Sequence, residues 1–155
     1  MRAVVQRVSR ARVLVDGEVV GAIDRGLCVL LSVGPRDDQA VADRLAGRIA
    51  TLRIFPDDGG RMNLDLVAAG GSLLLVSQFT LHADTSRGHR PSFIGAAPAD
   101  VASRLCDRVA ASLRRREISV ATGRFGAHMN VELTNDGPVT IVFASGEGPW
   151  LADGG

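Results

Sequence analysis

Hydrophobic and polar positions fall into short strand-like runs at both ends of the chain, with two stretches of helical spacing between them. Residues 2–8 (Arg-Ala-Val-Val-Gln-Arg-Val) and 11–15 (Ala-Arg-Val-Leu-Val) read as strands. Asp16-Gly17 supplies the positive-φ pair of a tight hairpin turn into residues 18–23. Asp24-Arg25-Gly26 turns the chain again before residues 27–33, an apolar run expected at the centre of a sheet. Gly34-Pro35 ends that run, and Asp37 or Asp38 can cap a helix whose stripe is Val41, Leu45, Ile49 and Leu52. A short strand at residues 53–55, a turn at 56–60 and the segment 61–66 lead to the break at Gly70-Gly71. Pro98 suits the first position of a second helix, with Val101, Leu105, Val109 and Leu113 as its buried stripe. Four strands are predicted after it, at 118–121, 123–127, 129–133 and 139–143, with Asn135–Pro138 as the turn between the last two.

The stretch Gly71–Phe93 carries the chemistry. Residues 73–76 (Leu-Leu-Leu-Val) have the length and branching of a strand buried on both faces. Ser77, Gln78 and Thr80, split only by Phe79, then place polar groups at its end, where they need partners or a ligand. A polar loop follows, 84–90, with Arg87, His89 and Arg90, closed by Pro91. Two catalytic arrangements fit. In a strand, Thr80 and His82 share a face, so a threonine nucleophile could have a histidine base. Alternatively, backbone N–H groups around Gln78, Phe79 and Thr80, freed where the ladder ends, could hold a developing oxyanion. His82, His89 and His128 lack metal-ligand spacing, and Asp57-Asp58 reads as a solvated turn, so no metal and no cofactor are expected. There is no Gly-rich phosphate loop, no Gly-x-Ser-x-Gly elbow and no His-Glu-x-x-His.

Composition adds limits. With 155 residues, 46% of them hydrophobic, a single domain with a real core is expected. No apolar stretch approaches the roughly 20 residues of a membrane span, and the first residues lack a signal-peptide core, so a cytoplasmic protein without a membrane partner is expected. Cys28 and Cys106 have no ligand spacing and read as reduced thiols. The net charge of +1 does not by itself point to nucleic acid, yet all 18 basic residues are Arg, the side chain suited to bidentate phosphate contacts. A compositional bias of the source is the favoured account of that. Arg2, Arg7, Arg10 and Arg12 fit a solvated sheet face or an RNA contact, and the triplet at 114–116 fits a helix C-terminus or a phosphate patch.

Several fragments together match a known pattern: Met62-Asn63-Leu64, Ser77-Gln78-Phe79-Thr80-Leu81 with Ala83-Asp84, Arg90-Pro91-Ser92-Phe93, Thr122-Gly123-x-Phe125-Gly126-Ala127, and Asn135-Asp136-Gly137-Pro138-Val139-Thr140. In order and spacing, from Met1 to about Phe143, the chain resembles the D-aminoacyl-tRNA deacylases. His82 departs from that pattern, which commonly has Tyr there, and the Gly-rich tail is divergent. The resemblance implies a homodimer that hydrolyses the ester between a D-amino acid, or glycine, and the 3′ end of tRNA. It implies that Ser77, Gln78, Phe79 and Thr80 line the pocket for the terminal adenosine and aminoacyl group, with Gln78, Phe79 and Thr80 at the catalytic centre and Met129 binding substrate. Gly137-Pro138 would be a cis peptide reaching into the partner's pocket, where its carbonyls exclude an L side chain.

The order β-hairpin, β, α, β, β, α and several β fits neither a doubly wound fold nor a helix bundle. The fold expected is α/β, one compact domain over 1–155, with mixed sheets in barrel-like layers and two packed helices. Residues 144–155 are expected to be a loose tail anchored by Trp150. Two other classes stay open on the residues alone: a non-catalytic RNA-binding module and a general Ser/Thr esterase.

Overall fold

A computed structural model describes residues 1–145. Trp150 and most of the expected tail lie outside them. The chain runs β1 (Arg2–Val15), β2 (Glu18–Ile23), β3 (Gly26–Ser32), α1 (Gln39–Ala50), β4 (Phe55–Pro56), β5 (Met62–Leu64), β6 (Ser72–Ser77), a 3-10 turn (Phe79–His82), α2 (Ala99–Arg114), β7 (Val120–Thr122) and β8 (Asn130–Ala144).

β1 is one strand of 14 residues where the polar dip at Ser9-Arg10 suggested two. The dip marks a change of partner: residues 2–8 pair with β3 and residues 11–15 with β2, which follow one another along it. Asp16 and Gly17 turn the hairpin at φ 51° and 81°. β8 is likewise one strand of 15 residues, antiparallel to β1, where a hairpin was expected at 135–138. That segment is a bulge: Gln6 pairs with Thr140 and Val8 with Asn135, so four residues of β8, Asp136–Val139, stand opposite Arg7 alone. The expected strand at 123–127 is absent, because Gly123 leaves the sheet after donating its N–H to Leu75 O at 3.0 Å.

β3, β6 and β7 are parallel, and the mixed sheet β2-β1-β3-β6-β7 curls until Gly21 lies against the Thr122 carbonyl. A Cβ on Gly21 would stand 2.4 Å from that oxygen, so only glycine allows the approach. The result is the expected α/β architecture, a nearly closed barrel with two helices on one side. β3 and β6 are buried on both faces for this reason. Leu27, Val29, Leu31, Leu73 and Leu75 face the helices, while Cys28, Leu74 and Val76 face the barrel interior with Val8 and Val13. The Asp38 carboxylate caps α1 by accepting from Val41 N at 2.8 Å. Leu45 and Ile49 of α1 meet Leu105, Val109 and Leu113 of α2 in the helix-side core, while Leu52 lies just past the end of α1. Arg108 ties the helices with a bidentate pair to Asp43 at 2.9 and 2.5 Å. Pro98 falls one residue earlier than expected, at the N-cap.

Candidate active site

The parallel pairing of β6 with β3 stops at Ser77, opposite Leu31. Gln78 N donates to Leu31 O at 2.7 Å as the last bond of that ladder, and the chain then coils into the 3-10 turn Phe79–His82. Leu81 N bonds to Gln78 O and Ala83 N to Thr80 O. The first donors of such a turn have no internal acceptor. Among the described residues, the N–H groups of Phe79 and Thr80 accordingly have none. Two adjacent free N–H groups therefore sit where an apolar strand ends.

Phe79 lines an apolar cavity of about 410 Å³ together with Ser77 and Gln78, with Phe93 and Phe125, and with Ala97, Ala102 and Cys106 from the approach to α2 and its first half, while Thr80 follows Phe79 outside that lining. Phe79 and Phe93 meet edge to face at 5.1 Å. Phe79 keeps 58% of its surface exposed, a large apolar side chain left uncovered at the mouth. Burial pushes the Cys106 thiol up to about 12, so it lines the cavity as a neutral apolar group.

The 3-10 turn overturns the Thr80–His82 arrangement expected of a strand. The Gln78 amide donates to Thr80 Oγ, and His82 is engaged elsewhere: its Nδ1 lies 2.6 Å from Ser32 Oγ. Ser32 is 2% exposed and its Oγ also lies 3.4 Å from Phe79 O. One hydroxyl proton satisfies both contacts only if the imidazole donates through Nδ1 and the serine donates to the carbonyl. His82 thus supports the backbone of Phe79 and offers Thr80 no base. Burial, then the charges of Arg2 and the Met1 ammonium, hold the imidazole below its ordinary range against the pull of Asp37.

The remaining expected site residues are not at this cavity. Met129 packs on the barrel core, its sulfur occupying the space beside Gly123. Gly137-Pro138 projects from the β8 bulge, and the peptide is cis. Its base is heavily fastened. Asn135 Oδ1 accepts from Val139 N at 2.8 Å, and Asn135 Nδ2 donates to Thr140 Oγ1 at 3.1 Å. Arg7 Nε donates to Asp136 O at 2.9 Å, while its Nη1 reaches Ile54 O at 2.6 Å. Sequence reasoning missed Arg7 and Asn135 in these roles; an Asn directly before Asp-Gly-Pro was the available signal for the second. It also missed Ser32 and Cys106.

A family model described as D-Tyr-tRNA(Tyr) deacylase matches residues 4–144. The D-aminoacyl-tRNA deacylase of Roseiflexus sp. (strain RS-1) is 58% identical over 94% of each chain, and that of Lacticaseibacillus casei (strain BL23) is 54% identical over 92% of this chain and 97% of its own. A solved structure described as c-Myc DNA Unwinding Element Binding Protein superposes with a TM-score of 0.88 at 40% identity, covering 94% of this chain and 99% of that one. A probable eukaryotic D-amino acid tRNA deacylase matches at TM-score 0.78 and 20% identity, over 92% of this chain and 97% of that one, and shares the fold. The barrel, the cavity at the end of β6 and these matches have one reading: the chain belongs to the D-Tyr-tRNA(Tyr) deacylase family.

Proposed function

We propose that this protein hydrolyses the ester joining a D-amino acid, or glycine, to the 3′ end of tRNA, and rejects the L ester. The observation that carries the chemistry is the pair of adjacent free N–H groups on Phe79, which lines the apolar cavity, and on Thr80, the next residue. A carbonyl oxygen placed against them gains two donors as it becomes the oxyanion of the tetrahedral intermediate, and losing one such donor typically costs roughly 10²–10³ in rate. Water attacks the carbonyl carbon, the C–O bond to the ribose breaks, and the ribose oxygen takes the proton. Thr80 has no base within its hydrogen bonds, so the terminal ribose hydroxyl assists the water in this reading.

The chiral filter acts across a homodimer. Gly137 and Pro138 are not among the residues lining the cavity of their own chain, which supports their carbonyls acting in a partner's pocket. There they would clash with an L side chain while leaving a D side chain, or none, unopposed. The enzyme is assigned to the cytoplasm, where aminoacyl-tRNA is made and used; among the described residues no helix is long and apolar enough to cross a membrane.

The deciding experiment is deacylation of D-tyrosyl-tRNA beside L-tyrosyl-tRNA, with chelator present. Loss of the D ester alone is expected. Loss of both keeps the hydrolase and sinks the Gly137-Pro138 filter. Loss of neither, with tRNA still bound, points to a binding module, and cleavage of small activated esters without RNA points to a general esterase.

A further inference from the structure

A second cavity, of about 1050 Å³, lies directly behind the first. The segment 92–97 is the partition: Phe93, Ala96 and Ala97 face the apolar cavity, while Ser92, Ile94 and Gly95 face the polar one. The Ser32–His82 bond spans the same wall, with Ser32 on one side and His82 on the other. The polar cavity is strongly cationic. Arg2, Arg36, Arg87, Arg90 and the Met1 α-amino group line it, against the carboxylates of Asp37 and Asp84.

Neither carboxylate pairs with any of those arginines among the described residues. Asp37 pairs with the Met1 ammonium at 2.5 Å and accepts from Gly34 N at 2.6 Å and Ser145 Oγ at 2.9 Å. Asp84 accepts from Ser86 N at 2.9 Å. Arg2 is also committed, donating to Leu81 O at 2.8 Å. Arg36, Arg87 and Arg90 differ: all three are exposed and, among the described residues, make no hydrogen bond or ion pair. Unpaired guanidiniums gathered around one concavity repel each other until an anion joins them, and their planar forks suit phosphate oxygens. Ile94, 91% exposed on the partition, adds an apolar surface for a base.

We propose that this cavity is a phosphodiester site, and that Arg36, Arg87 and Arg90 hold the single-stranded sugar–phosphate backbone just upstream of the nucleotide that carries the ester. The inference rests on the deacylase reading and supplies its RNA contact. A strand whose last nucleoside occupies the apolar cavity passes its 5′ side over the partition and meets these arginines next. Their exposure marks the site as one for a polyanion held by several surface contacts, not for a single enclosed phosphate.

The test compares wild type, R36Q, R87Q, R90Q and the triple variant on two substrates: D-tyrosyl-tRNA, and 3′-O-D-tyrosyladenosine, which has no phosphodiester. The ratio of kcat/KM on the tRNA ester to that on the nucleoside ester is expected to fall several-fold in each single variant. In the triple variant it is expected to fall roughly a hundredfold, through KM, and the log–log salt dependence should flatten by about 2, near 0.7 per lost single-strand contact. Arg→Lys variants should recover part of the loss. An unchanged ratio, whether both substrates suffer equally or neither suffers, overturns the proposal. So does a triple variant that loses inorganic phosphate binding, followed by ³¹P NMR, while keeping its tRNA KM. If wild type cleaves neither ester, the deacylase reading falls. The phosphodiester site is then judged by tRNA binding alone, whose salt slope must still flatten in the triple variant.

Discussion

The end of β6 and the bulge of β8 solve opposite problems with the same backbone. At Phe79 and Thr80 the ladder stops and two donors are left open, the first on a residue that lines a cavity. At Asp136–Val139 the ladder also stops, yet Asn135 and Arg7 supply hydrogen bonds where strand partners are missing. Open groups are what a catalytic edge needs, since they can bind only what arrives. A steric filter needs the reverse, because a loop that yields rejects nothing. The contrast supports the proposal that the first region does the chemistry and the second the selection.

Breaking the rigid side should have the largest effect. Gly137 has φ 143°, and a Cβ there would stand 2.7 Å from Val139 Cγ2 and 2.9 Å from Val139 N. Gly137→Ala is therefore expected to displace the bulge and reduce D-over-L discrimination by a hundredfold or so, about 2.7 kcal/mol. Paired deacylation rates on the two tyrosyl-tRNA enantiomers would measure it. Fully retained selectivity would remove the bulge from the filter.

The open side is sharpened by Thr80→Ala. This variant keeps the backbone N–H and deletes a hydroxyl bonded to Gln78, so a loss of less than about tenfold in kcat is expected, against the roughly 10²–10³ of a lost oxyanion donor. Abolished turnover in a folded, tRNA-binding variant would make Thr80 a nucleophile and end the backbone-only mechanism.

His82 gives the smallest effect, because it supports the open side from behind. Its folded-state affinity for protons is depressed from the ordinary 6.5, first by burial. The unfolded chain then takes up the proton first as pH falls, so this contribution to stability is complete above about pH 6.5. It declines below that while only the unfolded chain is protonated, and is gone once pH has fallen through the lowered folded value. Urea midpoints measured across that range should fall with acidification, less steeply in His82→Gln. Equal slopes in both proteins would mean that His82 does not couple to folding.

Legibility in the sequence followed the same divide. The strand at 73–76 was readable because burial on both faces leaves an unbroken apolar run, and the helices because their stripes repeat. Ser9-Arg10 and Asn135–Pro138 looked like breaks, since nothing local reveals that β1 and β8 carry each other through them. The expected Thr80–His82 face failed because strand geometry was extended past Ser77, where pairing ends. Ser77, Gln78 and Phe79 were identifiable as polar and aromatic groups at a buried strand's end. Arg7 was not, because its contacts lie 47 and 129 positions along the chain.

The bulge has a bearing on how crowded copies of the chain behave. Among the described residues β8 pairs with β1 alone, which leaves 15 residues with one unpartnered edge. A flush edge of that length invites strand addition and fibrous aggregation. Asp136–Val139 interrupts it into two shorter runs, and Pro138 has no N–H with which to template a neighbour. The loop proposed to sort mirror images of a substrate also breaks the edge that a neighbouring strand would need.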